Sequence, residues 1–336
     1  MGENRVPGAV DAGRRRFCLA SCLGGYVAAA AGGVASFLGV TPLWVEGASM
    51  GKSFPVSSPE SEGLASGAYD SASGSSDAAL LAGASPAQNG GVDTDEQRIA
   101  DLVTGNHILF DQGVVDGFGH ISARCVKNPA HFWLSQSRAP GMVSKDDIME
   151  FNENSEAVDA HGRLLYGERF IHGEIYRARP DVISVAHSHA PGVIPFGVTG
   201  VALRPVIHTA GFLPPVTPIF EIREVAGEDN GILVKSNKLG AGLAKVLGKS
   251  PVVLMRGHGD AVVGSSVKVA VYRAIYTQLN AQIQAESLML GQGKVVYLNS
   301  MESAKVNAIN ETGGVERVWQ IWKARANANL AVLKGS

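Results

Sequence analysis

The chain is 336 residues long, and its 29 lysines and arginines nearly balance 31 aspartates and glutamates, giving a pI near 6.5. That balance excludes binding to nucleic acid driven by net positive charge, and the length accommodates one sizeable domain with additional segments. Of the three cysteines, Cys18 and Cys22 fall near the N-terminus, so Cys125 has no second thiol in the body of the chain for an internal disulfide. No nucleophile motif surrounds it, and it is expected to be a small structural residue.

Residues 1–12 are polar and uninformative. Arg14-Arg15-Arg16 then introduces a charge-free run from Phe17 to Val45 rich in Ala, Gly, Val and Leu. A basic stretch followed by an apolar one is a targeting signature rather than core. Arg14-Arg15-x-Phe17 resembles a twin-arginine signal, so residues 1–46 are expected to direct export to the periplasm. An uncleaved anchor that spans a bilayer and a plain extension of a cytoplasmic protein are the alternatives. Membrane contact is expected only through this segment if it stays uncleaved. Residues 47–92 are dominated by Ser, Gly, Ala, Asp and Pro, which bury too little apolar surface to offset the entropy of ordering, and read as a flexible linker.

A domain is expected over residues 93–334. Thr94 caps a helix to Asp111 carrying Ile99, Leu102, Val103 and Leu109. Asp116-Gly117-Phe118-Gly119-His120 is a tight turn into a strand through Arg124, and Phe132 to Ser135 is a second strand. A polar loop around Arg138 precedes a capped turn at Ser144 to Ile148. Glu168, His172, Ile175, Tyr176 and Arg179 fall at helical spacing until Pro180 ends the helix. Val182 to His189 is a strand closed by Pro191. Turns through Ile194–Val198 and Arg204–His208 lead to a strand at Pro218–Ile222, and Ser236 or Asn237 caps a helix to Leu247. The strand Pro251–Leu254 enters Gly257-His258-Gly259, and Ala261 to Gly264 is its partner. A long helix over Ser266–Met289, with Val267, Val271, Ala274, Ile275 and Leu279 on one side, precedes a last helix over Gly314–Leu333 carrying Val318, Ile321, Trp322 and Leu330. Short strands followed by helices, without strict alternation, point to a layered α/β sheet domain.

The chemistry concentrates in Tyr166 to Pro191. Alternate residues of a strand share a face, so His187 and His189 point the same way. A carboxylate brought back over them by the preceding helix, Glu168, and a distant histidine in a glycine turn, His258, complete a set suited to one divalent ion. Three neutral imidazoles and an open position suit Zn²⁺, Mn²⁺, Fe²⁺ or Co²⁺, which act as Lewis acids on a chelating oxygen pair.

The run GERFIHGEIYRARPDVISVAHSH, with MRGHG and a long helix after it, resembles the class II aldolase/adducin family over roughly Asp95 to Gly291. The resemblance implies a single α/β domain with a central, mainly antiparallel sheet flanked by helices. It also implies Glu168 as the acid/base carboxylate, His187, His189 and His258 as metal ligands, and a homotetramer with sites between subunits. In the family's sugar-phosphate aldolases a loop with an Asn and hydroxyl residues cradles the phosphate; here that loop carries Gly119, His120 and Ser122, with His120 where the Asn would stand. Tyr166-Gly167 replaces the two serines that usually precede the carboxylate. These departures count against a phosphorylated sugar. GHISAR, FWLSQSRAP and DDIMEFN resemble the branch of decarboxylases acting on hydroxylated aromatic dicarboxylates and carboxylated muconic semialdehydes. A small carboxylic acid is the expected substrate, with Arg138 as its clamp and His208 as a further candidate contact. The expected activity is metal-dependent decarboxylation. An aldolase for an unphosphorylated oxo acid or sugar, a non-haem iron oxygenase and a non-catalytic adducin-like module are the alternatives.

Overall fold

The computed structural model describes residues 93–333 and 335. The expected signal segment, the linker and the export reading that depends on them lie outside these residues. No helix among the described residues is long and apolar enough to cross a membrane.

In chain order the elements are α1 (Asp95–Asp111), β1 (His120–Arg124), β2 (Phe132–Ser135), β3 (Ile148–Phe151), α2 (Phe170–Ala178), β4 (Ser184–Ser188), α3 (Ile194–Val198), β5 (Ile219–Phe220), α4 (Arg223–Ala226), α5 (Asn237–Leu247), β6 (Val252–Met255), β7 (Gly259–Gly264), α6 (Val267–Leu290), α7 (Ser300–Ile309) and α8 (Val315–Leu333). The strands form one sheet in the order β3-β2-β1-β4-β7-β6-β5. Every pairing is antiparallel except β5 with β6. The mainly antiparallel layered sheet expected from the sequence is therefore what the chain forms.

Both faces of the sheet are covered, and strand alternation sorts the side chains between them. Ile121, Ala123, Ala186 and Val262 face one core with α1, α6 and α8, which contribute Leu102, Val271 and Trp319. Val185, Val253 and Val263 face the other with α2 and α5, which contribute Ile171, Ile175, Leu243 and Leu247. Residues of even number on β1 and odd number on β4 fall on this second side. His120, Ser122 and His187 are thereby presented to α2 rather than to α1.

Helix starts follow their caps. The side chains of Thr94, Ser236 and Ser266 accept from Gln97, Leu239 and Val269 N–H at the N-termini of α1, α5 and α6. Several expectations need correction. The helix expected from Glu168 begins at Phe170, because the Glu168 carboxylate is drawn away to Val234 N–H and the preceding residues turn. The metal strand ends at Ser188, leaving His189 just beyond it. Ile194–Val198 is a short helix with Pro195 in its first turn, a position where the missing N–H costs nothing. β3 and α7 were not expected; Asn299 and Glu302 form a reciprocal capping box at the start of α7. Leu279 and Ile321 are 38% and 63% exposed rather than inward, and Trp319, 3% exposed, packs where Ile321 was expected. Cys125 is a buried free thiol.

Candidate metal centre

The site lies where β4 ends beside the β6–β7 turn. His187 is the penultimate residue of β4 and is 1% exposed. His189 follows the strand, and His258 sits in the turn whose next residue, Gly259, opens β7. Gly259 is there because no side chain fits: a Cβ would stand 1.9 Å from the Ser188 carbonyl oxygen. Gly119 serves the entry to β1 similarly, with φ of 90° and a Cβ position 3.0 Å from the His187 carbonyl.

One ligand atom from each of Glu168, His187, His189 and His258 lies within 4.8 Å of the others. Glu168 Oε2 is 3.4 Å from His187 Nε2 and 3.3 Å from His258 Nε2. The His258 and His189 Nε2 atoms are 2.9 Å apart. Backbone groups hold each piece. His187 Nδ1 is 2.8 Å from the Asp260 carbonyl and His258 Nδ1 is 2.8 Å from the Ile232 carbonyl. A carbonyl only accepts, so both rings carry their proton on Nδ1 and turn an Nε2 lone pair inward. Glu168 Oε1 accepts from Val234 N–H at 2.8 Å.

This donor set fits a divalent cation. His187 Nε2 is fully buried without an aligned hydrogen bond, since its 3.4 Å approach to Glu168 is too poorly directed to count as one. Ligand bonds of about 2.0–2.1 Å at a tetrahedral centre put nitrogens about 3.3 Å apart, close to the separations here. Burial works against a charge on Glu168, but the His187 and His258 partners outweigh it and hold the carboxyl well below the ordinary range. Burial also opposes protonation of His187, yet Glu168 and the Asp260 carbonyl raise it overall. Burial beside His187 and His258 lowers His189 to about 4.

A cavity of about 610 Å³ opens onto this centre, lined by Gly117 to His120, Ser137 to Ala139, Tyr166 to Glu168, His187, His189, Leu233 and Lys235. Gly119, His120 and Arg138, expected as substrate contacts, all line this cavity. The Arg138 side chain is 45% exposed and keeps one contact, Nη1 to Asp147 Oδ1 at 3.3 Å. Its backbone N–H and carbonyl both meet the Tyr166 hydroxyl, and the Tyr166 ring lies 4.4 Å from that of His120.

Two expected contacts are placed elsewhere. Ser122 lies behind the wall of the cavity, fully buried, with its hydroxyl 2.6 Å from His172 Nδ1 and 2.7 Å from the Tyr176 hydroxyl. The cause is register, since β1 sends Ser122 toward the middle of α2 and only His120 to its open end. His208 is itself exposed and begins a single turn outside the cavity lining, its carbonyl accepting from Asn310. The sequence reading did not single out Phe118, Tyr166 or Lys235 as site residues. Lys235 carried no usable signal, because its loop is brought over the centre by the long-range contacts of Ile232 with His258 and Val234 with Glu168.

Residues 100–285 match the model of the class II aldolase and adducin N-terminal domain. Decarboxylase tropJ of Talaromyces stipitatus is 37% identical over 245 residues, covering 67% of this chain and 92% of its own length. A 3,4-dihydroxyphthalate decarboxylase of Arthrobacter keyseri is 28% identical over 66% of this chain and 90% of its own length. In fold, an aldolase II superfamily protein from Pseudomonas syringae superposes with a TM-score of 0.59 at 19% identity, covering 71% of this chain and 95% of that one. The sheet order, the histidine and carboxylate cluster and these likenesses agree: the chain belongs to the class II aldolase and adducin N-terminal domain family, on the side of its decarboxylating lyases.

Proposed function

We propose that this chain removes a carboxyl group from a hydroxylated aromatic or β-oxo carboxylic acid, using a divalent ion bound by His187, His189 and His258. The observation that carries the reading is the meeting of three imidazole nitrogens and one carboxylate at a cavity that also holds two cationic side chains, Arg138 and Lys235. A bound first-row cation, Zn²⁺, Mn²⁺, Fe²⁺ or Co²⁺, supplies Lewis acidity toward a pair of substrate oxygens. Arg138 and Lys235 hold substrate carboxylates at the other wall, the guanidinium in two-point fashion. Tyr166 and Phe118 offer ring faces to an aromatic substrate.

Cleavage breaks one carbon–carbon bond, releases CO₂ and leaves the electron pair on the adjacent oxygen through the conjugated carbon. That pair then forms a carbon–hydrogen bond with a proton taken from a water held at Glu168 Oε2, the oxygen turned to the histidines; Glu168 itself stays ionised, and the hydroxide that remains is neutralised by solvent. Oε1 is committed to Val234 N–H and takes no part. The absence of serines before Glu168, where Tyr166 and Gly167 stand instead, supports an unphosphorylated substrate. The names of the two decarboxylases above support the same class of reaction. Family resemblance supports a homotetramer, and Phe118, an apolar ring 67% exposed at the cavity mouth, supports it as a surface that a second subunit would cover.

The test is metal analysis of the purified protein together with a CO₂-release screen over hydroxylated phthalates and β-oxo acids. Expected are one equivalent of metal and CO₂ evolution that stops on chelation. Release of an aldehyde and a ketone without CO₂ would assign aldol cleavage instead, and oxygen uptake would assign oxygenase chemistry.

A further inference from the structure

Behind His120 runs a buried chain of hydrogen-bonding groups that the proposed reaction does not use directly. His120 Nδ1 is 2.7 Å from His172 Nε2. His172 Nδ1 is 2.6 Å from Ser122 Oγ, and Ser122 Oγ is 2.7 Å from the Tyr176 hydroxyl. His172 and Ser122 are fully buried, and Tyr176 and His120 are each 4% exposed. All four lie on the side of the sheet that packs against α2.

The chain can point its protons outward or inward, or Ser122 can accept from both neighbours and give its own proton to the Val185 carbonyl, 3.5 Å away; the lengths of the contacts distinguish these. Run outward, Tyr176 donates to Ser122, Ser122 donates to His172 Nδ1, and His172 Nε2–H donates to His120 Nδ1. Every proton then lies in a contact of 2.6–2.7 Å. Run inward, the Tyr176 proton must leave the chain, and its other acceptor is the Ile183 carbonyl at 3.4 Å, which already accepts Arg124 N–H at 2.8 Å. A hydroxyl-to-carbonyl contact of 3.4 or 3.5 Å is longer than the roughly 2.5–3.0 Å of an O–H···O hydrogen bond. The outward direction leaves no proton in a poor contact, and in a buried network such a shortfall is costly.

We propose that Tyr176, Ser122 and His172 are positioning residues that fix His120 as the tautomer with its proton on Nε2, aimed into the cavity, so that this residue donates a hydrogen bond to an oxyanion of the substrate. An imidazole with one nitrogen engaged by a donor carries its proton on the other. His120 lines the cavity, and its ring lies 5.1 Å from that of His187. The oxygen it meets is therefore one beside the metal-binding cluster. The ligand chemistry selected is an aromatic acid presenting a phenolate or carboxylate oxygen there; a group that can only donate finds no acceptor on His120. The substrate part of this inference rests on the decarboxylase reading, whereas the tautomer does not.

Nitrogen-15 NMR of histidine-labelled, zinc-loaded protein reads the tautomer directly, because protonated and bare ring nitrogens resonate far apart. Expected is His120 protonated on Nε2 and bare on Nδ1, with His172 in the same form; His120 protonated on Nδ1 overturns the proposal with no variant needed. Ser122→Ala removes the donor to His172 and is expected to give His120 as a mixture of both forms, with zinc content unchanged. A pure Nε2–H signal in that variant would overturn the role of Ser122. In a CO₂-release assay Ser122→Ala is expected to raise KM for an oxyanionic substrate on the order of 10-fold, the loss of one hydrogen bond to a charged acceptor. Absence of CO₂ release from wild-type protein whose His120 carries Nε2–H would defeat the decarboxylase reading and leave the tautomer standing.

Discussion

Gly259→Ala tests whether the metal centre depends on the close approach of two backbones. The new Cβ would sit 1.9 Å from the Ser188 carbonyl oxygen and 2.9 Å from His189 Cα. Both are main-chain atoms, so no side chain can swing aside. To reach ordinary contact β4 and β7 must part by roughly 1.5 Å, at the end of the sheet where Ser188 pairs with Asp260. That displacement falls on His189, whose own Cα is in the clash, and on His258, the residue before Gly259. It also pulls the Asp260 carbonyl from the His187 ring. Overpacking of this kind costs about 1–3 kcal/mol, which for a domain of this size lowers Tm by roughly 2–12 °C. Lost orientation of the ligands weakens metal binding by about 10–100-fold. Thermal melts with and without added zinc, and zinc competition against a chromophoric chelator, measure the two effects separately. Gly231→Ala, where a Cβ meets nothing within 4 Å, is the control. A Gly259→Ala protein that melts lower but binds zinc as tightly as wild type would refute the claim that backbone spacing sets the ligand geometry.

Glu168→Gln keeps an oxygen for Val234 N–H but removes the carboxylate that holds the proton-donating water. Turnover is expected to fall about 10²–10⁴-fold with bound metal retained, measured as CO₂ release per equivalent of metal; undiminished turnover would remove Glu168 from the chemistry. Arg124→Met strips a guanidinium that donates to the carbonyls of Val182, Pro129, Tyr176 and Arg179, tying β1 to the end of α2. Urea titration should show a loss of about 3 kcal/mol or more, and a loss under 1 kcal/mol would mean the carbonyls find other donors. Burial pushes the Asp147 carboxyl up, but hydrogen bonds from Ser144 and Gln136 and the charge of Arg138 bring it below its ordinary value. A depressed carboxylate stabilises the fold above its unfolded pKa of about 4 and loses that contribution as pH falls through the lower folded value. Asp147→Asn should accordingly cost stability at pH 7 and flatten the acid limb of Tm against pH. An acid limb as steep as wild type would exclude Asp147 as a contributor.

The parts of this protein legible from sequence are those written in local chemistry. Period-two alternation placed His187 correctly and made Glu168, His187, His189 and His258 a candidate set, because a strand and a glycine turn each present a histidine without reference to the rest of the fold. The caps at Thr94, Ser236 and Ser266 placed three helix starts to within a residue. What stayed hidden depends on pairing. Ser122 was expected in the cavity, and only the register of β1 against β4, Ser122 opposite Val185, decides that it meets α2 instead. His208 was drawn in by its type alone. His172 was visible as a helical residue, but nothing local marks it as the link between His120 and Ser122. The edge strand β3 is four residues long, too short for its pattern to stand out after the capped turn at Ser144.

The centre is held by main-chain groups as much as by its histidines, and this explains why an irregular segment far along the chain belongs to it. Residues 232–234 supply the carbonyl that fixes His258 and the N–H that fixes Glu168, so one short stretch positions one candidate ligand and the carboxylate beside it. It does so under strain. Ile232 has φ of 52°, a left-handed conformation that a β-branched residue adopts at a cost of order 1–3 kcal/mol. That cost is sustained only because the segment is over-determined: the His258 and Glu168 contacts lie on one side, and the cap of α5 at Ser236 follows on the other. Relaxing Ile232 would turn its carbonyl away from His258 Nδ1, and the imidazole would lose the partner that keeps its Nε2 lone pair facing His187 and His189. The ligand geometry is thus bought with backbone strain outside the sheet, in a segment that hydrophobic periodicity alone reads as an unremarkable loop.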